Sequence, residues 1–354
     1  MKTILLTGGG TGGHVIPHLS LIPHLKKHFD KIYYIGTANG IEKEIITSQT
    51  NLEYFSISAP KLQRDKKISI LTLPFKLLKS THQSKKILKK IKPSVIFSKG
   101  GFVSVPVCIA AKLLKIPVIS HESDLTLGLA NKVIYRICTK FLTSFKSTSK
   151  KLKKSVFTGA PIRQQLFNGS KQNAKQILNL DSSKQTILFI GGSTGALNLN
   201  KIIYSSLPII TNKYNVVHIV GKNKGDKTKK YQNYTQIEYC HNIEDIFCVT
   251  DFVVSRAGSN AIFEFLALKK PMILIPLPKN ASRGDQIDNA NYFKSKGFAM
   301  VLDESTLTPK KLTEQINNLS INKQKYIDNM TAQNYKYVQG SKNIVNEILK
   351  ISNK

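Results

Sequence analysis

The stretch "TILLTGGGTGGH" (Thr3–His14) decides how the rest of the chain is read. An apolar run, Ile4 to Leu6, passes at once into "TGGGTGGH" (Thr7–His14), where five of eight residues are glycine. A short apolar run ending in glycine reads as a strand entering a tight turn with a helix behind it. Glycine costs conformational entropy, so this density needs a reason. The usual one is that the backbone must come close to something, often a phosphate at a helix N-terminus.

The design restarts in the second half as "ILFIGGSTGALN" (Ile187–Asn198), again an apolar strand, a glycine turn and a helix. Between and after these starts, short β-rich runs alternate with helical stretches. Strands are predicted at 3–6, 31–35, 52–57, 95–98, 118–121, 141–144 and 156–158. In the second half they fall at 186–190, 216–220, 236–239, 252–255, 272–275 and 299–302. Strand–helix alternation predicts parallel sheets covered by helices. The expected fold class is therefore α/β, with two Rossmann-like parallel-sheet domains facing a cleft, and ligands at the carboxyl ends of the strands. The boundary is placed at "GAPIRQQ" (Gly159–Gln165), giving domains 1–160 and 161–354. The helical segment from Pro309 is expected to pack back on the first domain. The lysine-rich "GKNKGDKTKK" (Gly221–Lys230) reads as a surface loop.

Gly8, Gly10 and Gly13 satisfy GxGxxG. A dinucleotide site wants an acid at the end of the second strand, but "YYIGTANG" offers none before Glu42. No GK[ST] follows either turn, so a P-loop is excluded. What remains is a backbone N–H cradle for a phosphate, against a plain strand–helix turn that binds nothing. His14 reads either as polar surface at a helix start or as a general base at the rim of the loop. In "SRAGSNAIFEFLAL" (Ser255–Leu268), Ser259 or Asn260 caps a helix. Glu264 is then a solvated acid or a carboxylate for two ribose hydroxyls. "PLPKNASRGDQIDNA" (Pro276–Ala290) reads as ordinary turn residues or as a set of amides and acids for sugar hydroxyls.

Composition bounds the function. The net charge is +32, and all but five of the 53 basic residues are lysine. Codon bias and selection for anion attraction both account for that skew, and either way the surface draws anions. No nucleic-acid module and no basic–aromatic alternation accompany it, so no specific nucleic-acid partner is expected. Four scattered cysteines without a CxxC read as reduced thiols. No 18-residue apolar run and no secretion signal are seen. The segment 66–90 mixes Ile68, Ile70, Leu71, Leu73, Phe75, Leu77 and Leu78 with lysines. It reads either as an ordinary amphipathic element or as a patch for an anionic membrane.

Taken in order, GGTGGH (Gly9–His14), SKGGFVSVP (Ser98–Pro106), HESD (His121–Asp124), GAPIR (Gly159–Arg163), GGSTGA (Gly191–Ala196), SRAGSNAIFE (Ser255–Glu264) and DQIDNA (Asp285–Ala290) resemble one family over nearly the whole chain. It is the MurG family, the lipid-linked N-acetylglucosaminyltransferases of glycosyltransferase family 28. The resemblance implies a GT-B fold. It also implies an inverting transfer of GlcNAc from UDP-GlcNAc to the 4-hydroxyl of the muramoyl sugar of undecaprenyl-linked lipid I, forming lipid II for peptidoglycan. By resemblance the donor meets Thr11, Gly12, Gly13, Asp124, Arg163, Ser193, Ser259, Asn260, Glu264 and Gln286. The acceptor meets Gly10, His121 and Asn131, and His14 and Glu122 are the candidate catalytic groups. No DxD pair is placed for Mg²⁺, so no metal or other cofactor is expected. Cell-wall synthesis enzymes are implied as partners, and the cytoplasmic face of the bacterial cell membrane as the location. The sequence departs from the family where HEQN reads HESD, GNP reads Gly159-Ala160-Pro161, GGYVS carries Phe102, and a glutamine is replaced by Thr194. A glycolipid synthase acting on diacylglycerol is the rival within the fold, disfavoured by the order of the motifs.

Overall fold

The computed structural model describes residues 1–61, 67–178, 180–191, 196–240, 242–333 and 335–353. They form two compact units, Met1–Ile162 with the residues from Tyr337 onward, and Arg163–Lys336. In the first, β1 (Thr3–Thr7), β2 (Lys31–Gly36), β3 (Glu53–Ser56), β4 (Val95–Ser98), β5 (Val118–Glu122), β6 (Lys140–Thr143) and β7 (Ser155–Phe157) make one sheet. Its order is β3-β2-β1-β4-β5-β6-β7. In the second, β8 (Gln185–Ile190), β9 (Tyr214–Ile219), β10 (Tyr234–Ile237), β11 (Phe252–Ser255), β12 (Met272–Leu274) and β13 (Ala299–Val301) follow the order β10-β9-β8-β11-β12-β13. Every pairing between these strands is parallel. Each of the thirteen stretches read as strands overlaps an observed one.

The strands are apolar on both faces because both faces are covered, as parallel sheets require. Ile4 and Leu6 of β1 point into one core with Tyr34 and Phe97, while Leu5 points into the other with Ile35 and Ile96. The period of two divides one run between two cores. In the second unit Ile187 and Phe189 of β8 pack with Val216, Val254 and Ile273.

The order reverses between β1 and β4, and again between β8 and β11. Such switch points bring two loops side by side at the carboxyl ends of the strands. Register fixes which: Thr7 pairs with Ser98, so the first glycine loop adjoins the SKGG turn. Ile190 pairs with Ser255, so SRAGSN starts beside the end of β8.

The C-terminal segment divides. The helix Pro309–Ile321 stays with the second unit, with Leu312, Ile316 and Leu319 in its core. From Tyr337 onward the chain joins the first unit, ending in the helix Gly340–Ser352. There Ile344, Val345 and Ile348 enter the core of Ile4 and Leu6, each burial contributing about 2 kcal/mol. The return therefore begins near Tyr337 and not at Pro309, because the apolar face of the earlier helix fits the second sheet.

Candidate functional site

The first glycine loop explains itself from within. A Cβ at Gly9 would lie 2.6 Å from the Glu42 carboxyl carbon, and one at Gly101 only 2.2 Å from the Gly9 carbonyl. Gly101 also has φ +82°. The glycines thus let three chain segments close over one another. Glu42, in the first turn of the helix Ile41–Gln49, is fully buried. Its carboxylate accepts the Gly10 N–H at 3.1 Å, the Thr37 N–H at 3.0 Å and the Thr37 hydroxyl. The Gly10 amide, one of those expected to face a diphosphate, donates to Glu42 in this structure. Thr11 and Gly13 are exposed and Gly12 is buried. His14 closes the short helical turn Gly12–His14, partly exposed. Its Nδ1 lies 3.1 Å from the Lys99 carbonyl, which only a donor can satisfy. In the neutral ring Nε2 is then the basic nitrogen.

Beneath the SKGG turn the structure holds a side chain that the sequence reading passed over. Lys99 is 1% exposed. Its ammonium donates to Nδ1 of His121 at 2.8 Å and to the Ser123 hydroxyl. Burial pulls its pKa down to about 8, against the opposing pull of the Glu122 and Asp124 carboxylates. A lysine inside the apolar run before Gly100 and Gly101 was the available signal. His18 lies close by and is fully buried. Burial and then Lys99 lower its pKa to about 3, so it is neutral.

The HESD residues are tied into the protein by hydrogen bonds. His121 is buried and held well below the usual histidine range, first by desolvation and then by Lys99. With Nδ1 accepting from Lys99, its Nε2–H points to the Gly159 carbonyl at 3.4 Å. Glu122 accepts the Asp124 N–H, the Gly128 N–H and the Asn131 amide at 3.0–3.1 Å. Burial and the Asp124 charge raise its pKa. Asn131 also donates to the His121 carbonyl and accepts from Ser120. Glu122 was a candidate base and His121 and Asn131 candidate acceptor contacts. All three are at most 3% exposed, and their hydrogen bonds are made inside the protein. Asp124 is partly exposed.

In the second unit Arg163 and Glu264 meet. Nε donates to Oε1 at 2.9 Å and Nη2 to Oε2 at 3.1 Å. Desolvation opposes the charge on Arg163, but Glu264 more than offsets it, leaving the guanidinium pKa raised. Glu264 projects from the helix Ser259–Ala267, which carries Ser259 and Asn260 in its first turn. That helix starts after Gly258, where a side chain would meet nothing within 4 Å. Gln286 stands in the first turn of the helix Asp285–Ser295. Its Oε1 accepts the Ala257 N–H at 3.2 Å and the Leu277 N–H at 3.1 Å, tying the loops after β11 and β12 together. Its Nε2 donates to nothing among the described residues. Arg256, 6% exposed, braces the same loop through the Ile275 carbonyl and Glu304. Sequence reasoning missed Arg256 and the clamping task of Gln286. Ser193 lies outside the described residues.

The helix Lys67–Ile91 sets Leu88 in the core near its end, with Ile87 and Ile91 beside it, but its middle is different. It buries Ser80 and Ser84, whose hydroxyls bond back to the Lys76 and Ser80 carbonyls. It exposes Phe75 and Leu78, by 75% and 69%. Lys76, Lys79, Lys86, Lys89 and Lys90 are exposed on it too. Among the described residues no helix is long and apolar enough to cross a membrane, and no three His, Cys, Asp or Glu side chains are grouped as a metal site.

Comparison with known proteins gives a consistent result. The glycosyltransferase family 28 N-terminal domain matches residues 4–143, and the glycosyltransferase family 28 C-terminal domain matches residues 186–348. A relative from Clostridium botulinum (strain Alaska E43 / Type E3) is 48% identical over 337 residues, covering 94% of each chain. One from Clostridium novyi (strain NT) is 47% identical over 334 residues, covering 93% of each. Both are named UDP-N-acetylglucosamine--N-acetylmuramyl-(pentapeptide) pyrophosphoryl-undecaprenol N-acetylglucosamine transferase. The crystal structure of Acinetobacter baumannii MurG shares the fold, with a TM-score of 0.77 at 24% identity over 99% of this chain and 100% of that one.

Proposed function

The chain belongs to glycosyltransferase family 28, and from that premise we propose that it moves GlcNAc from UDP-GlcNAc to the 4-hydroxyl of the muramoyl sugar of lipid I, forming lipid II for peptidoglycan synthesis. The observation that carries the proposal is identity of 47–48% over almost the whole chain with transferases of that name.

The chemistry is a single displacement that inverts the anomeric centre. His14 takes the acceptor's hydroxyl proton on Nε2, its tautomer fixed by the Lys99 carbonyl. Glu122 is not given this role, because three N–H donors already hold its carboxylate. As the sugar–phosphate bond breaks, charge grows on UDP. Arg163 and the N-terminus of the helix Ser259–Ala267 meet that charge. Glu264 accepts the ribose hydroxyls, and Gln286 offers Nε2 to the GlcNAc hydroxyls. No metal is required in this scheme, since a guanidinium and amides supply the positive charge.

The test is transfer of labelled GlcNAc to a lipid I analogue, with diacylglycerol in parallel and EDTA present. Transfer to lipid I in EDTA is expected. UDP-sugar binding with no such transfer would discard the acceptor. His14→Ala should lower turnover about 10²–10⁴-fold with UDP still bound. Unchanged turnover removes His14 as the base.

We further propose that the helix Lys67–Ile91 lies on the anionic leaflet that holds lipid I. An exposed Phe75 and Leu78 among lysines, over buried serines, supports this, each nearby lysine contributing about 1 kcal/mol. Phe75→Glu/Leu78→Glu should lose binding to anionic vesicles, and undiminished binding would refute the assignment.

A further inference from the structure

Arg163 and Glu264 have been given separate parts of a nucleotide, yet they are bonded to each other. The guanidinium engages side-on, through Nε and Nη2, with one bond to each carboxylate oxygen. Each oxygen has spent one acceptor position and kept one. Glu264 accepts no other hydrogen bond among the described residues. On Arg163, Nη1 donates to nothing among them, so one edge of the fork is committed and another is left for an anion. The two side chains are only 16% and 13% exposed, which keeps water from loosening the pair. A planar two-point contact fixes the rotation of a carboxylate, which a single-point cation cannot do.

We propose that Arg163 is a positioning residue for Glu264: it holds the carboxylate so that the two remaining acceptor positions receive the two hydroxyls of a ribose, while Nη1 meets the diphosphate of the same nucleotide. The pair stays intact on binding. It is one preformed reader of a cis-diol and an anion, and its ligand class is a ribonucleoside 5′-diphosphate. The inference rests on reading the second unit as the nucleotide-sugar site.

Three arrangements make different demands. If Arg163 only met phosphate, its loss would not touch a nucleoside that has none. If the pair had to break on binding, loss of Arg163 would free Glu264 and tighten nucleoside binding. If Arg163 orients Glu264, its loss weakens the nucleoside and erases the preference for ribose over deoxyribose.

The experiment measures dissociation constants of the full chain for uridine, 2′-deoxyuridine, UDP and 2′-deoxy-UDP, using wild type, Arg163→Gln and Arg163→Lys. Wild type should prefer UDP to its deoxy form by about tenfold, the low end of the worth of one hydrogen bond to a charged group. In Arg163→Gln that ratio should fall close to one, with uridine weakened about fivefold. Arg163→Lys keeps the charge and the fold but offers a single point, so it should not restore the ratio. General damage to the fold weakens ribose and deoxyribose forms in parallel and leaves their ratio unchanged. A retained ratio in either variant, or uridine binding that is unchanged or tighter, overturns the proposal. Failure of the underlying reading looks different: wild type itself would then bind neither uridine nor UDP.

Discussion

Replacing Lys99 by methionine tests whether the ammonium under the SKGG turn is as strained as its burial implies. Its pKa falls from 10.5 to about 8 on folding, because desolvation outweighs the attraction of Glu122 and Asp124. The other titratable neighbours, His121 and His18, are held neutral and add no charge in alkaline solution. Between pH 8 and 10.5 the unfolded chain therefore binds more protons at this position than the folded one. Stability contributed by the site must rise with pH across that window, since the charged form is what folding disfavours. From pH 8 to pH 10 the gain works out at about 2 kcal/mol. Urea unfolding of wild type and Lys99→Met at both pH values, compared as a difference of differences, cancels titrations that the two proteins share. Wild type should gain about 2 kcal/mol on the variant between pH 8 and pH 10. No change, or a gain by the variant, would mean that the ammonium is better solvated or better paired than its contacts with His121 and Ser123 allow.

Two further substitutions probe the loops. Gly101→Ala places a Cβ 2.2 Å from the Gly9 carbonyl at a φ of +82°, so it should cost more than about 2 kcal/mol and displace the loop that carries His14. A thermal melt within a degree of wild type would show that the two loops are not in contact in solution. Gln286→Glu keeps an acceptor for the Ala257 and Leu277 N–H groups but loses the Nε2 donor. It should raise the KM for UDP-GlcNAc about tenfold while inhibition by UDP changes little; equal losses for both ligands would assign Gln286 a purely structural part.

Much of this was legible in the sequence, for identifiable reasons. The strands showed as short β-rich runs between glycine and polar turns, and the two strands that lead into glycine loops, β1 and β8, stand at the switch points of their sheets. His14, Arg163, Glu264 and Gln286 could each be singled out from a local pattern. Their partners could not. Arg163 and Glu264 are 101 residues apart, and their pairing depends on a helix set by β11. Lys99 looked like one lysine among many in a chain of net charge +32. Only the adjacency of β4 and β5 places it on His121. Glu42 was noted only as coming too late for a dinucleotide site. Its helix turns the carboxylate back to Gly10, a contact that no spacing rule records. His121, Glu122 and Asn131 stood in a motif that carries function by resemblance. In this structure all three are buried and hydrogen-bonded within the protein.

One buried or half-buried carboxylate in each unit finds its partners in a different way. A backbone N–H cradle at the end of a first strand attracts anions regardless of what the chain intends to bind there. In the first unit the buried Glu42 side chain takes the Gly10 amide. Beside that loop His14 stays partly exposed, with Nδ1 against the Lys99 carbonyl. In the second unit the carboxylate is the one neutralised. Arg163 cancels the charge of Glu264 and still has Nη1 to offer. Amides and a hydroxyl answer Glu42 in the first unit, and a guanidinium answers Glu264 in the second. The overall charge of +32 could not make that distinction, because a uniform field favours every anion at every loop alike.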